Sequence, residues 1–356
     1  MQHSVSSFVS SLKELKPRDL GISSYSRKSL RRTLSAAEFY TEIYLFCLDK
    51  ALALCSMSPQ DMTIVDYGGG HGLLSILAKQ IGFGRVIYVD NNPDALQTVS
   101  ALSERIGFRP DTILEGDATT LKTWCSENGV RPDMVLGMDV IEHIYVLDEF
   151  FAQLHEISPS MGMIFTTASN PYNKRVVRRL HRAMQSDELG TTMKKGFWKM
   201  RRDHIRKLHH DMSDNELDYW ADNTRGLVLA DVERAVEARS PNLLFDKFNT
   251  CDPVSGSWTE RLLPAEDYRQ LLNPYGYTMA ILPGRYNEHR RGPKAWISRC
   301  YNRRIDKVDL NKVLEVSRNG KDQTVRKGGL RMRQRRRYCK SLKVAPFIYL
   351  IVRHER

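Results

Sequence analysis

Long apolar runs, paired cysteines and a leader-like start are all missing from this 356-residue chain. The six cysteines fall at 47, 55, 125, 251, 300 and 339, with no C-x-x-C pair among them. That spacing argues against a zinc ribbon or a disulfide framework and fits a reducing compartment, so a cytoplasmic location is expected. No apolar stretch reaches the roughly 20 residues of a membrane span, so no transmembrane segment is expected. The opening Met1-Gln2-His3-Ser4-Val5-Ser6-Ser7-Phe8 lacks the apolar core of a secretion signal. No repeat of solenoid period is present. The length allows one enlarged domain or two, each with a substantial core.

Acidic residues are scarce only at one end. Residues 285–356 hold 22 Lys/Arg against 6 Asp/Glu, whereas residues 1–284 hold 32 against 36. The net charge of +12 therefore belongs to the C-terminal part. Its densest stretch runs from Arg326 to Tyr338, and the region 326–340 suits a polyanion such as RNA, an anionic lipid surface or an acidic glycan. Few aromatics accompany it for stacking on bases, so a solvated loop without a dedicated partner is the competing reading.

What the chain does have is Asp66-Tyr67-Gly68-Gly69-Gly70-His71-Gly72 between two patterned segments. Met62-Thr63-Ile64-Val65 reads as a buried strand, and Leu73, Leu74, Ile76, Leu77 and Ile81 recur at helical spacing. A strand ending in glycines and opening a helix brings bare N–H groups and the positive end of a helix dipole to a ligand. A dinucleotide fingerprint G-x-G-x-x-G starting at Gly68 would need glycine where Leu73 stands. The acid and alternating glycines Asp66, Gly68, Gly70 and Gly72 resemble motif I of class I S-adenosylmethionine-dependent methyltransferases.

The following segments keep that family's order. Arg85 to Asp90 reads as a second strand ending in an acid, 24 residues after Asp66. Thr112 to Ala118 reads as a third strand and turn, Met134 to Asp139 as a fourth strand, and Met163 to Thr167 as a fifth. Helix-period residues fill Asp94 to Ile106 and Leu147 to Ile157. This alternation predicts an α/β fold with a parallel sheet and helices on both faces. The resemblance implies S-adenosyl-L-methionine as cofactor. Asp90, with Asn91 beside it, would meet the ribose hydroxyls, and Asp117 with Ala118 the adenine. Asp66, Gly68, Gly70, Gly72 and Asp139 complete the expected cofactor site. It also implies a doubly wound seven-stranded sheet, closed by a reversed pair at Gly276–Leu282 and Phe347–Val352.

Asp139-Val140-Ile141-Glu142-His143 is the candidate catalytic segment. If a helix starts here, Asp139, Glu142 and His143 share one face above the sheet. His143 then acts as general base for an acceptor hydroxyl, oriented by a carboxylate. A second reading has the three side chains hold a divalent cation, the less favoured choice, and a third has them cap and fix the loop. The D-x-x-E-H pattern is similar to the ubiquinone-biosynthesis type of O-methyltransferases. It also partly matches the E-x-x-E-H of small-RNA 2′-O-methyltransferases, with Asp139 in place of glutamate. Asn170-Pro171-Tyr172 is read as a turn rather than an amino-methylation motif, since it ends the fifth strand and not the fourth.

The expected organisation is an N-terminal helical segment (1–60), a cofactor-binding core (61–170) and a helical lid or acceptor insertion (171–263). A core continuation (264–285), a basic insertion (286–343) and the last core strand (344–356) follow. The apolar stripe of Leu34 to Leu54 is expected to pack on the core or cover the cofactor. Ser255 to Arg261 is a second candidate acceptor loop, with Arg261 suited to a carboxylate or phosphate. The expected activity is O-methylation of a small-molecule or glycan-like acceptor. The alternatives are an RNA methyltransferase and a non-catalytic cofactor-binding protein.

Overall fold

A computed structural model describes residues 2–306 and 332–354. Within them the alternation read from the sequence forms one seven-stranded sheet. Its strands are β1 (Thr63–Tyr67), β2 (Arg85–Asp90), β3 (Thr112–Glu115), β4 (Met134–Met138), β5 (Gly162–Thr167), β6 (Tyr277–Pro283) and β7 (Ile348–His354). Their order across the sheet is β3-β2-β1-β4-β5-β7-β6. The strands β1 to β5 pair in parallel, and β7 is antiparallel to both β5 and β6. A single reversed strand closes the sheet, which corrects the expected reversed pair: β6 points the same way as β5. Strand order switches direction between β1 and β4, so the crevice opens over the carboxyl ends of those two strands.

Parallel strands covered on both faces need apolar side chains at every position rather than at alternate ones. Val86 to Val89 in β2 and Met134 to Leu136 in β4 meet that need, all fully buried. Helices α1 (Gln2–Glu14), α2 (Ser24–Leu34) and α3 (Ala37–Cys55) precede the sheet. The crossovers carry α4 (Leu73–Ile81), α5 (Pro93–Ile106), α6 (Ala118–Glu127) and α7 (Leu147–Ile157). Asn92 caps α5 through the amide of Asp94, with Pro93 at its first position, and Gly107 ends it at φ 87°. The apolar stripe before the core lies in α3, which packs against β5, and Phe46 meets Tyr349 with ring centroids 4.4 Å apart.

After β5 the chain leaves the sheet through α8 (Lys174–Leu189), α9 (Phe197–Leu208), α10 (Asp214–Asn223) and α11 (Leu229–Glu237). Two small apolar clusters sit here, Val176, Leu180 and Met184 with Leu262, and Ile205, Leu217, Val232 and Val236. Such small cores bury little area, and a polar hub joins them. Arg201 donates to both Glu188 oxygens at 3.1 and 2.8 Å and twice to the Ala221 carbonyl. The turn at Asn170 does more than stop a strand. Asn170 Nδ2 donates to the carbonyls of Leu342 and Ala345, and Asn173 Nδ2 also reaches Ala345, each at 2.9 Å.

The chain returns through α12 (Ala265–Leu272) to β6, then through α13 (Pro293–Ile305) and α14 (Met332–Leu342) to β7. Helices α13 and α14 pack on each other, and Tyr338 donates its hydroxyl to the Ile281 carbonyl at 2.8 Å. The basic stretch Arg326 to Arg331 lies outside the described residues; its continuation to Lys340 is in α14. No helix among the described residues is long and apolar enough to cross a membrane.

Candidate active site

The glycine loop is shaped by positive backbone angles that only glycine adopts without strain. Gly68, Gly70 and Gly72 have φ of 63°, 53° and 71°. At Gly72 a Cβ would also stand 2.1 Å from Val99 Cγ2, so α4 and α5 approach too closely for a side chain. At Gly70 a Cβ would meet nothing within 4 Å, because this glycine faces open space. The loop is pinned from behind: Gly68 N–H donates to the Val89 carbonyl at 2.8 Å, and Tyr88 Oη donates to the Gly70 carbonyl at 2.7 Å.

The expected cofactor acids take three different positions. Asp66 is buried under the loop and accepts from Ser75 N–H at 3.1 Å and Ser75 Oγ at 2.7 Å. Burial pushes its carboxyl up to about 6, against the pull of the Ser75 bonds. Its visible work is to hold the first turn of α4. Asp90 is half-buried at the tip of β2 and accepts from Gly70 N–H at 2.8 Å and Asn92 N–H at 2.9 Å. Asn91 beside it is exposed. Asp117 is exposed and caps α6 through Thr119 and Thr120, and Ala118 behind it is buried.

A cavity of about 610 Å³ opens over the ends of β1 and β4. Gly68, Gly69, Gly70, Asp66, Met138, Asp139 and Thr166 form its floor. Its other walls come from far along the chain: Phe39, Tyr40, Ile43 and Tyr44 of α3, Arg179 of α8, the loop residues Tyr286, Asn287 and Arg290, and Phe347 before β7. The size is within the range of small-ligand sites. Asp90, Asn91, Asp117 and Ala118 do not line it. These four residues lie instead at the sheet edge by β2 and β3, outside the cavity. The residues fit the expected cofactor: a helix N-terminus, a side-chain-free loop at Gly70 and an accessible carboxylate at a strand tip.

The D-x-x-E-H segment does not form the expected helix. Only Ile141–His143 makes a 3-10 turn, and Asp139 takes φ 52°, so the three polar side chains diverge. Asp139 faces the cavity, with its N–H bound to the Thr166 carbonyl and its Oδ1 accepting from Thr166 Oγ1 at 3.3 Å. Asp139 keeps an exposed surface towards the cavity, yet the protein packed around it raises its pKa, with Glu260 adding to the effect. Glu142 is buried and accepts from Ala168 N–H at 2.9 Å through Oε1. Burial and the nearby Asp139 push its carboxyl well above the usual range, which favours a neutral acid.

His143 turns to the insertion, where Nδ1 lies 2.7 Å from the Trp258 carbonyl. A carbonyl only accepts, so Nδ1 carries the proton and Nε2 is the basic nitrogen. His143 does not line the cavity. Trp258 returns the contact by donating its N–H to the His143 carbonyl at 3.2 Å, and Arg261 N–H binds the Glu142 carbonyl at 3.1 Å. The candidate acceptor loop Ser255 to Arg261 is thus packed against the segment after β4. Trp258 and Arg261 line a separate cavity of about 430 Å³. Among the described residues no group of three or more His, Cys, Asp or Glu is arranged to hold a metal ion.

Sequence reading missed Tyr286 and Arg290, because nothing local marks them, whereas Arg179 falls in the insertion expected to shape the acceptor site. Tyr40 and Tyr44 carried one usable signal, their place on the stripe expected to cover the cofactor.

Residues 40–221, about half of the chain, match the methyltransferase-domain family. Ribosomal protein L11 methyltransferase of Colwellia psychrerythraea is 48% identical over 46 residues, 13% of this chain and 16% of that protein. The Burkholderia mallei protein of the same name is 49% identical over 43 residues, 12% of this chain and 14% of its own. The chain thus spans about a sixth of the length of these curated relatives. Among solved structures, a mycolic acid cyclopropane synthase complexed with S-adenosylhomocysteine matches at 14% identity. That match has a TM-score of 0.37 and covers 86% of this chain and 82% of the other. A precorrin-6y C5,15-methyltransferase from Geobacter metallireducens matches at 15% identity, with TM-score 0.28, over 41% and 70%.

Proposed function

Since the chain belongs to the methyltransferase-domain family and so uses S-adenosylmethionine, we propose that it methylates an oxygen of a small molecule seated in the 610 Å³ cavity. The observation that carries this reading is the cavity itself, which joins the glycine loop to a chamber walled by α3, α8 and the loop after β6. A chamber walled on so many sides suits a small acceptor better than a polymer strand. When bound, the donor would supply a methyl group already activated as a sulfonium, the electron pair of its S–CH3 bond staying on sulfur as the acceptor oxygen takes the methyl.

The protein's own tasks are alignment, exclusion of water and removal of the acceptor proton. Asp139 is the proton acceptor in this reading. It is the one member of the D-x-x-E-H segment that lines the cavity, and its raised pKa brings it closer to the working range of a base. Thr166 holds it through its hydroxyl. Glu142 and His143 act as positioning residues that tie the segment to Ala168 and Trp258. Gly70 and Asp90 hold the donor from the loop and the strand tip, and Tyr40 and Tyr44 close the cavity from above.

The test is transfer of labelled methyl from S-adenosylmethionine into separated small-molecule, protein and RNA fractions of a cell extract. The reading expects label in the small-molecule fraction as an ether or ester, lost in Asp139→Asn while S-adenosylhomocysteine still binds. Label in RNA would instead favour phosphate gripping by the basic helix α14, and label on protein would contradict both. Loss of S-adenosylhomocysteine binding in Asp139→Asn would make Asp139 a ligand of the donor's ammonium group.

A further inference from the structure

The cavity is polarised along its length. Asp66 and Asp139 stand at the glycine-loop end, and two arginines, Arg179 and Arg290, line it from the insertion side. Arg179 comes from α8 and Arg290 from the loop before α13, so two separate insertions each contribute an exposed arginine to the lining of one chamber. Neither makes an ion pair or hydrogen bond with another described residue, although this region is rich in such pairs. Nearby Arg285 binds Glu288 at 2.9 Å, and Arg175 binds Tyr301 Oη at 3.1 Å. Tyr40 lies between the two ends. Burial raises its phenol pKa first, Asp139 raises it further, and Arg290 pulls it down. Tyr286 feels Arg179 in the same downward sense, against the larger effect of burial.

A guanidinium directed at a cavity rather than at a carboxylate suits a planar or tetrahedral anion, which it can bind through two parallel hydrogen bonds. Aromatic rings of Phe39, Tyr40 and Phe347 offer an apolar surface between the charged ends. Resting on the methyltransferase reading above, we propose that the acceptor is an amphipathic anion. Its carboxylate or phosphate is held by Arg179 and Arg290, and this presents a hydroxyl at its other end to Asp139. This arrangement also sets specificity: both arginines are exposed, so an anion is preferred to a neutral analogue through charge attraction and paired hydrogen bonds.

The test is calorimetric titration of the full chain saturated with S-adenosylhomocysteine, using three probes of one ring size: benzoate, phenyl phosphate and benzyl alcohol. Binding of either anion with benzyl alcohol at least about tenfold weaker is the expected result. Arg179→Gln and Arg290→Gln should each weaken the anion by about tenfold or more and leave S-adenosylhomocysteine affinity within about twofold. Retained cofactor affinity also certifies that each variant is folded. Preference for benzoate or for phenyl phosphate identifies the anion as carboxylate or phosphate. Equal binding of benzyl alcohol, no binding of any probe, or variants that bind the anions as the wild type does would overturn the proposal. So would loss of S-adenosylhomocysteine binding in the arginine variants, which would assign the arginines to the donor's own carboxylate. Failure of the wild type to bind S-adenosylhomocysteine at all would instead strike the methyltransferase reading on which the proposal rests.

Discussion

Replacing Arg201 by methionine tests how the helical insertion is held together. Arg201 is fully buried and Glu188 is 4% exposed, so neither charge is hydrated. Four hydrogen bonds leave with the guanidinium, two to Glu188 and two to the Ala221 carbonyl. The stranded Glu188 carboxylate keeps Thr250 Oγ1 and the Arg225 Nε at 3.6 Å. Breaking a buried pair from one side costs about 3–5 kcal/mol, and those remaining partners put this case near about 3 kcal/mol. At roughly 2 °C per kcal/mol for a long chain, the melting temperature should fall by about 6 °C. Adding Glu188→Gln removes the stranded charge and should recover at least half of the loss. Urea denaturation followed by circular dichroism measures both, with amide exchange over residues 188–236 locating the effect. A loss below about 1 kcal/mol in Arg201→Met, or a double variant less stable than the single, would refute the hub assignment.

Gly70→Ala and Gly72→Ala should separate two demands on the glycine loop. At Gly70 only the left-handed backbone resists, so unfolding stability should drop by about 1 kcal/mol while S-adenosylhomocysteine affinity falls, because the new methyl enters open space beside the donor. At Gly72 the clash with Val99 adds to the strain, so the stability loss should exceed that of Gly70→Ala by about 1–3 kcal/mol in the same denaturation assay. Asp66 provides a pH test. Its folded pKa of about 6 exceeds the unfolded value of about 4, so the native state binds the extra proton and loses stability as pH rises from about 4 to about 6. The advantage of Asp66→Asn over wild type should therefore grow by about 2–3 kcal/mol between pH 4 and pH 7; a constant difference would contradict the shift. His143→Ala should lower turnover less than Asp139→Asn and should loosen the loop at Trp258, read as faster amide exchange at residues 256–261.

The fold was legible where burial is two-sided. The apolar runs Val86–Val89 and Met134–Leu136, short and placed between helix-period segments, read as core strands and are found as such, and the helix of 147–157 appears at its expected bounds. The direction of β6 was not legible, because an apolar run carries no sense of direction and pairing is fixed by β7 inserting between β5 and β6. The glycine loop and the acid at the neighbouring strand tip could be read because they are local: one loop supplies the glycines, and Asp90 ends β2. The remaining cavity walls are assembled from α3, α8 and the loop after β6, more than a hundred residues apart, and no spacing rule connects them. The D-x-x-E-H segment misled for a definable reason. Helical spacing implies a shared face only if the backbone is helical, and the positive φ of Asp139 breaks that condition at its first residue.

The proposed donor site consists of the loop from Gly68 to Gly72 and the carboxylate of Asp90. Calorimetric titration of the wild type and of Asp90→Ala with S-adenosylhomocysteine tests it most directly. One site in the wild type and at least about tenfold weaker binding in the variant are expected, since the carboxylate braces Gly70 and in the proposed site would meet the ribose. No binding by folded wild type, or equal binding by the variant, would contradict it.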